Sequence, residues 1–181
     1  GGAIAEQLRW CIDHITALSR SSYIEDSQRT ELAPRLVHTG GSLVNNATNY
    51  TPVATEVYIA EVYIPANVLI TGIAVLNGTV ASGNIKVGLA DSTGVVLATS
   101  ASTAMSGTNA YQRVPFTGVY IAKPGTYYVL LFVNNATARI MTHTFGNFGA
   151  SKQTGQVFAT GFTTITPPTT FTAELGPVAS L

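Results

Sequence analysis

The sequence predicts a mainly β protein: an antiparallel β-sandwich, jelly-roll-like, behind a short N-terminal α-helix. Three observations predict it. Tyr127 to Val133 form an unbroken run of aromatic, β-branched and leucine residues behind the turn Pro124-Gly125. Such a run suits a strand covered on both faces, by a second sheet or by a neighbouring subunit. Eight or nine short apolar segments follow one another after Thr55, with turn signals about every 8–12 residues, the rhythm of a two-sheet sandwich. Charge is also unevenly spread. Residues 1–52 hold nine of the eighteen charged side chains, and the much longer stretch 53–181 holds the other nine.

Three regions follow: an N-terminal helix over 1–20, an irregular neck over 21–52 and a β domain over 53–181. In the first, Glu6, Gln7, Leu8, Arg9 and Ala17 favour helix. Ile4, Leu8, Cys11, Ile15 and Leu18 are spaced 4, 3, 4 and 3, the a/d seam of a short coiled coil. Two readings of that seam stand side by side: an oligomerising stalk, or an amphipathic helix packed on its own domain. In the neck, Ser21-Ser22, Pro34, Gly40-Gly41 and the run Asn45 to Asn49 are loop signals. Leu36-Val37-His38 and Ser42-Leu43-Val44 have the composition of very short strands.

The β domain reads as strands in series. Residues 55–64 alternate imperfectly and stop at Pro65. Residues 68–76 are almost wholly apolar and close on Asn77-Gly78. Residues 85–90 and 95–99 flank Asp91-Ser92-Thr93-Gly94, the clearest hairpin in the chain. Residues 100–109 are small and polar, and read as a loop. Residues 111–116 and 119–122 read as two segments, with Pro115 marking an edge or a strand end. Residues 126–133 form the central strand. Residues 136–145 alternate around Arg139 and His143, 156–165 make a last long strand before Pro167-Pro168, and 171–173 a short one beyond it.

Composition narrows the function. The formal net charge is zero and only 10% of residues are charged. Binding nucleic acid requires clustered Lys and Arg, so no nucleic-acid partner is expected. No stretch of 18 residues is free of polar interruption, so no membrane insertion is expected. Cys11 is the only cysteine, which rules out an internal disulfide framework. The opening residues lack the basic and apolar regions of a signal peptide. With a mean hydropathy of +0.28, apolar surface must be hidden in a core or between subunits. The two-sided composition of several strands favours close packing of copies, as in a homotrimer.

A search for reaction chemistry finds none. His14, His38 and His143 are scattered, and none stands near a nucleophile elbow. His143, between two threonines, reads as a packed or interfacial histidine. Asp91 belongs to a turn, and Glu56 and Glu61 lie five apart on one strand, on opposite faces. They do not make the carboxylate pair that glycoside cleavage needs. No metal-ligand spacing or phosphate-cradling loop is present. The chain is expected not to be an enzyme and to use no cofactor. Glycan contact is the remaining binding chemistry: Tyr111, Gln112, Arg113, Tyr120, Asn147 and Phe148 supply aromatic and amide types in or near loops. Four matches to the N-glycosylation sequon, at Asn46, Asn49, Asn77 and Asn135, arise easily in a chain this rich in Asn and Thr.

The order of helical seam, neck and Gly/Thr/Ala-rich sandwich resembles the fibre, spike and knob proteins of bacteriophage virions. The similar segments are Thr71 to Gly78, Val87 to Gly94 and Lys123 to Val129, within residues 55–165. The resemblance implies a homotrimeric virion structural protein, a head or tail fibre or spike. It would join other virion proteins through its N-terminal part and expose its sandwich to a host-surface glycan, for assembly and attachment. The competing expectation is an extracellular, monomeric carbohydrate-binding module of a secreted bacterial protein.

Overall fold

The computed structural model describes residues 37–39, 47–144, 146 and 148–181. The predicted helix over 1–20, its seam residues Ile4, Leu8, Cys11, Ile15 and Leu18, and most of the neck lie outside the described residues. What is described is mainly β, with every strand pairing antiparallel and no α-helix.

Eleven strands occur in order: β1 (Ala47–Tyr50), β2 (Val57–Ile64), β3 (Val68–Leu76), β4 (Asn84–Asp91), β5 (Val96–Thr99), β6 (Thr103–Ala104), β7 (Tyr111–Ala122), β8 (Gly125–Val133), β9 (Ile140–His143), β10 (Ala150–Gln153) and β11 (Ala179–Ser180). The larger sheet runs β10-β2-β8-β4-β5, with β6 also on β4. A three-stranded sheet runs β11-β3-β7, and β1 pairs with β9. Isolated bridges from Asn77 to Ile140 and from Thr142 to Pro177 tie the β1–β9 pair to the small sheet.

The central strand is β8, and its alternation sorts the core. Tyr127, Val129, Leu131 and Val133 point into the main hydrophobic cluster, where they meet Ile73 and Val75 of β3 and Val114 and Phe116 of β7. The larger and smaller sheets therefore share one core. Tyr128, Leu130 and Phe132 point the other way into a second cluster with Val57, Ile59 and Ala90. Both faces of β8 are covered, as the composition of the strand predicts.

The second cover is not the expected sheet or subunit. Residues 156–166 lie there as irregular chain, closing the cluster with Phe158, Phe162 and Ile165. The sequence reading of 156–165 as a strand is corrected. The amide of Gly161 bonds to the carbonyls of Val157 and Phe158 (3.1 and 3.2 Å). That turn brings Phe158 and Phe162 to the same side, and both rings pack on Phe132, at 5.2 and 6.3 Å between centroids. Gly88 makes room for one of them: a Cβ there would sit 3.0 Å from the ring of Phe162. The Lys86 ammonium adds a polar clamp, donating to the carbonyls of Phe158 (2.7 Å) and Ala159 (3.3 Å).

Other expectations also change. Pro115 marks an edge strand, as one of its two readings has it, but not a strand end, because β7 continues through it. Pro115 faces Gly72 across the pair, where the register shifts. A Cβ on Gly72 would come within 2.7 Å of the Pro115 Cα, so only glycine admits the proline there. Within the Asn45–Asn49 run, read as loop, residues from Ala47 onward belong to a strand held by β9. The strand expected over 136–145 is confined to Ile140–His143. Phe171 makes only an isolated bridge to Ala150.

Candidate interaction surface

Among the described residues, three clusters with buried polar side chains are each used by the fold itself. At one, the Lys152 ammonium meets both carboxylate oxygens of Glu56 (2.8 and 3.1 Å). The Tyr58 hydroxyl donates to the same carboxylate (2.8 Å) and accepts the Val53 N–H (3.0 Å). Burial, above all, raises the Tyr58 phenol far beyond its ordinary range, and the Glu56 carboxylate raises the Lys152 amine. This is a locked ion pair, with its oxygens committed. Glu61 instead accepts the Gly149 N–H at 3.1 Å, so the two carboxylates are separately occupied.

At the second, Asn77 and Gln112 are buried side by side. Asn77 Nδ2 donates to Gln112 Oε1 (2.9 Å) and to the Ser106 carbonyl (2.7 Å). Gln112 also accepts the Ser106 N–H and donates to the Ala104 carbonyl. Together they fasten the 100–110 loop to the small sheet.

At the third, the Thr39 hydroxyl donates to the Pro177 carbonyl (2.6 Å) and accepts the Ala179 N–H (3.0 Å). His143 Nε2 stands 3.1 Å from the same oxygen. His143 is buried, edge-on to Phe148 at 5.1 Å, and burial lowers its pKa. It is a packed histidine, as its sequence context predicts.

The six residues proposed for glycan contact are not gathered in one place. Tyr111 and Arg113 alternate outward on β7, while Gln112 between them points inward. The Arg113 guanidinium donates to the Thr71 hydroxyl. Tyr120 lies nine residues along the same strand, about 30 Å away at strand rise, half-buried and edge-on to Tyr127 at 6.4 Å. Phe148 is buried on His143. Asn147 lies outside the described residues.

A different surface stands out from exposure. Leu69, Val119 and Ile121 are 56%, 66% and 69% exposed on the outer face of the small sheet. Leu69 and Ile121 are direct cross-strand partners, and Val119 is on the same side of β7. Arg113, already bonded to Thr71, is the one charge among the outward positions of β3 and β7. Beside this face, Val37, Val68, Leu69, Arg113 and Leu181 line a groove of about 200 Å³. Leu69, Val119 and Ile121 were not singled out from sequence, although their signal is there. Along 119–122 apolar side chains occupy successive positions, where a half-buried strand would alternate.

Among the described residues, no group of three or more His, Cys, Asp or Glu side chains is placed to hold a metal ion. Nor is any helix among them long and apolar enough to cross a membrane. No protein-family model, curated protein or solved structure matches the chain.

Proposed function

We propose that the protein is a structural component of a bacteriophage virion: a homotrimeric head or tail fibre or spike that serves assembly and attachment to the host surface. The observation that carries this reading is the outer face of the small sheet. It is apolar and nearly free of charge, and it is exposed in a single chain. A patch of that kind is the mark of an association surface. The heptad spacing of Ile4, Leu8, Cys11, Ile15 and Leu18 supplies a second association element and a means of joining other virion proteins. The architecture that goes with this function is a jelly-roll sandwich. Its support is the core shared by the two sheets, and a chain that changes sheet between β2 and β3, between β3 and β4, between β6 and β7, and again between β7 and β8.

A second reading keeps one observation in its favour. Tyr111 and Arg113 present an aromatic ring and a cation on the same exposed side of β7, a pairing that suits a sugar. A monomeric carbohydrate-binding module would use it directly, and a trimeric fibre could carry the same contact to a host glycan.

The particle mass by light scattering separates the readings. For the full chain it should be near three chains, and it should fall or become concentration-dependent when residues 1–20 are removed. A single-chain mass at micromolar concentration would sink the fibre reading, and glycan arrays would then test the module.

A further inference from the structure

We infer that the outer face of the β3–β7 sheet, centred on Leu69, Val119 and Ile121, is where a second copy of this chain docks. The inference rests on the oligomeric reading above and assigns it a surface.

Coverage supplies the first argument. The larger sheet has its outer face closed by the chain's own Phe158, Phe162 and Ile165. On the small sheet, Leu69, Val119 and Ile121 have no such cover among the described residues. Charge supplies the second. Arg113 is the only charged outward position and is bonded to Thr71, so an acidic or basic partner finds no complement here. A partner that is itself poor in charge fits, and this chain is one: net charge zero, with nine charged residues across 53–181.

The third argument is the rim. Towards β5 the face passes into a groove of about 280 Å³ lined by Val96, Thr99, Thr117, Gly118 and Val119. There β5 and β7 are both edge strands, joined by the Ser100–Phe116 bridge and by the Thr117 hydroxyl donating to the Thr99 carbonyl. Thr99 and Thr117 beside an apolar centre give the polar rim that a protein interface requires.

The test uses the full chain and three exposed-site variants. Light scattering and dilution series compare the parent with Leu69→Ser/Ile121→Ser and, as a second disruption, with Val119→Lys. Circular dichroism confirms that each is folded. The expected result is a half-dissociation concentration raised about 100-fold or more in both. In parallel, Val119→Cys in the otherwise unchanged chain is treated with a maleimide, and labelling at position 119 is read by peptide mass mapping. Its thiol should be protected in the assembled protein and labelled once dilution gives single chains.

If the folded variants keep the parent's mass and affinity, this face is not the interface, while the oligomeric reading stands. A parent of single-chain mass with a freely labelled Cys at 119 removes both. A thiol protected in a single-chain species would mean that the chain's own N-terminal segment covers the face, which overturns docking by a second copy.

Discussion

The two outer faces of this fold solve the same problem differently. The face of β2, β8 and β4 is apolar, and the chain covers it with residues 156–166. Gly88 is left bare so that the Phe162 ring can sit on the strand, and Lys86 is turned so that its ammonium holds two carbonyls of the cover. The face of β3 and β7 carries Leu69, Val119 and Ile121 and receives none of these devices among the described residues. The difference teaches that covering an apolar sheet face takes a matched set, here three apolar side chains, a bare glycine and a cation.

Substitutions on the two sides should therefore behave differently, and the largest effect belongs to the covered side. Phe132→Ala removes a fully buried ring that touches both Phe158 and Phe162, and should cost about 3–5 kcal/mol in denaturant unfolding. A cost under about 1 kcal/mol, the scale of a surface change, would mean that the cover does not close over the strand. Next comes Gly88→Val, which pushes new methyl groups into the Phe162 ring and should destabilise by about 1–3 kcal/mol. Pairing it with Phe162→Ala should recover part of the loss. Simple additivity of the two would separate Gly88 from the cover.

A third test acts through pH on the border of the open sheet. His143 is held neutral by burial, so its folded pKa lies below its ordinary value of 6.5. The unfolded chain takes up the proton first. Stability is therefore fully present above about pH 6.5 and falls as pH drops from there toward the folded pKa, by at most about 1.4 kcal/mol per pH unit. Amides of β11 and of residues 177–181 should lose hydrogen-exchange protection in that window, while those of β8 hold theirs. Uniform loss across both would place the sensitivity elsewhere. The smallest effect should be Ile121→Ser in dilute, unassociated protein, within about 0.5 kcal/mol of the parent. A loss above about 2 kcal/mol would show that the face is buried within one chain, and the contrast between the faces would disappear.

Legibility in the sequence followed the range of the contacts. The strands β2, β3, β4, β5 and β8 were readable to within about two residues, because β2, β3 and β8 are long apolar runs and β4 and β5 flank a local turn. The hairpin at Asp91 was readable because its chemistry is local: the carboxylate accepts the Thr93 hydroxyl and amide and the Val95 amide. What could not be read depends on distant partners. Ala150-Ser-Lys-Gln has no strand composition and becomes β10 because β2 offers it an edge. Ala47–Tyr50 looks like loop until β9 pairs with it. Phe158 and Phe162 alternate into a plausible strand until Gly161 turns the chain.

For the candidate surface, the two-sided composition of 119–122 was visible, and which side would stay open was not. That depends on Val114, Phe116 and Ala122 joining Val129 and Leu131 of β8 in the main cluster, which turns Val119 and Ile121 outward. The Thr39–His143 contact spans 104 positions and has no local signature at all.

Residues 37–39 and 179–181 run antiparallel, joined by the His38–Ser180 bridge, by the Leu181 N–H on the Val37 carbonyl at 3.1 Å and by the Thr39 hydroxyl on Ala179. A pull applied at Val37 and Leu181 would therefore load these bonds in succession, as a zipper rather than in shear. Tension along the chain would open this short clasp first, drawing Val37 and Ala179 out of the main cluster before the β8 ladder is loaded. Mechanically, the domain carries its own fuse.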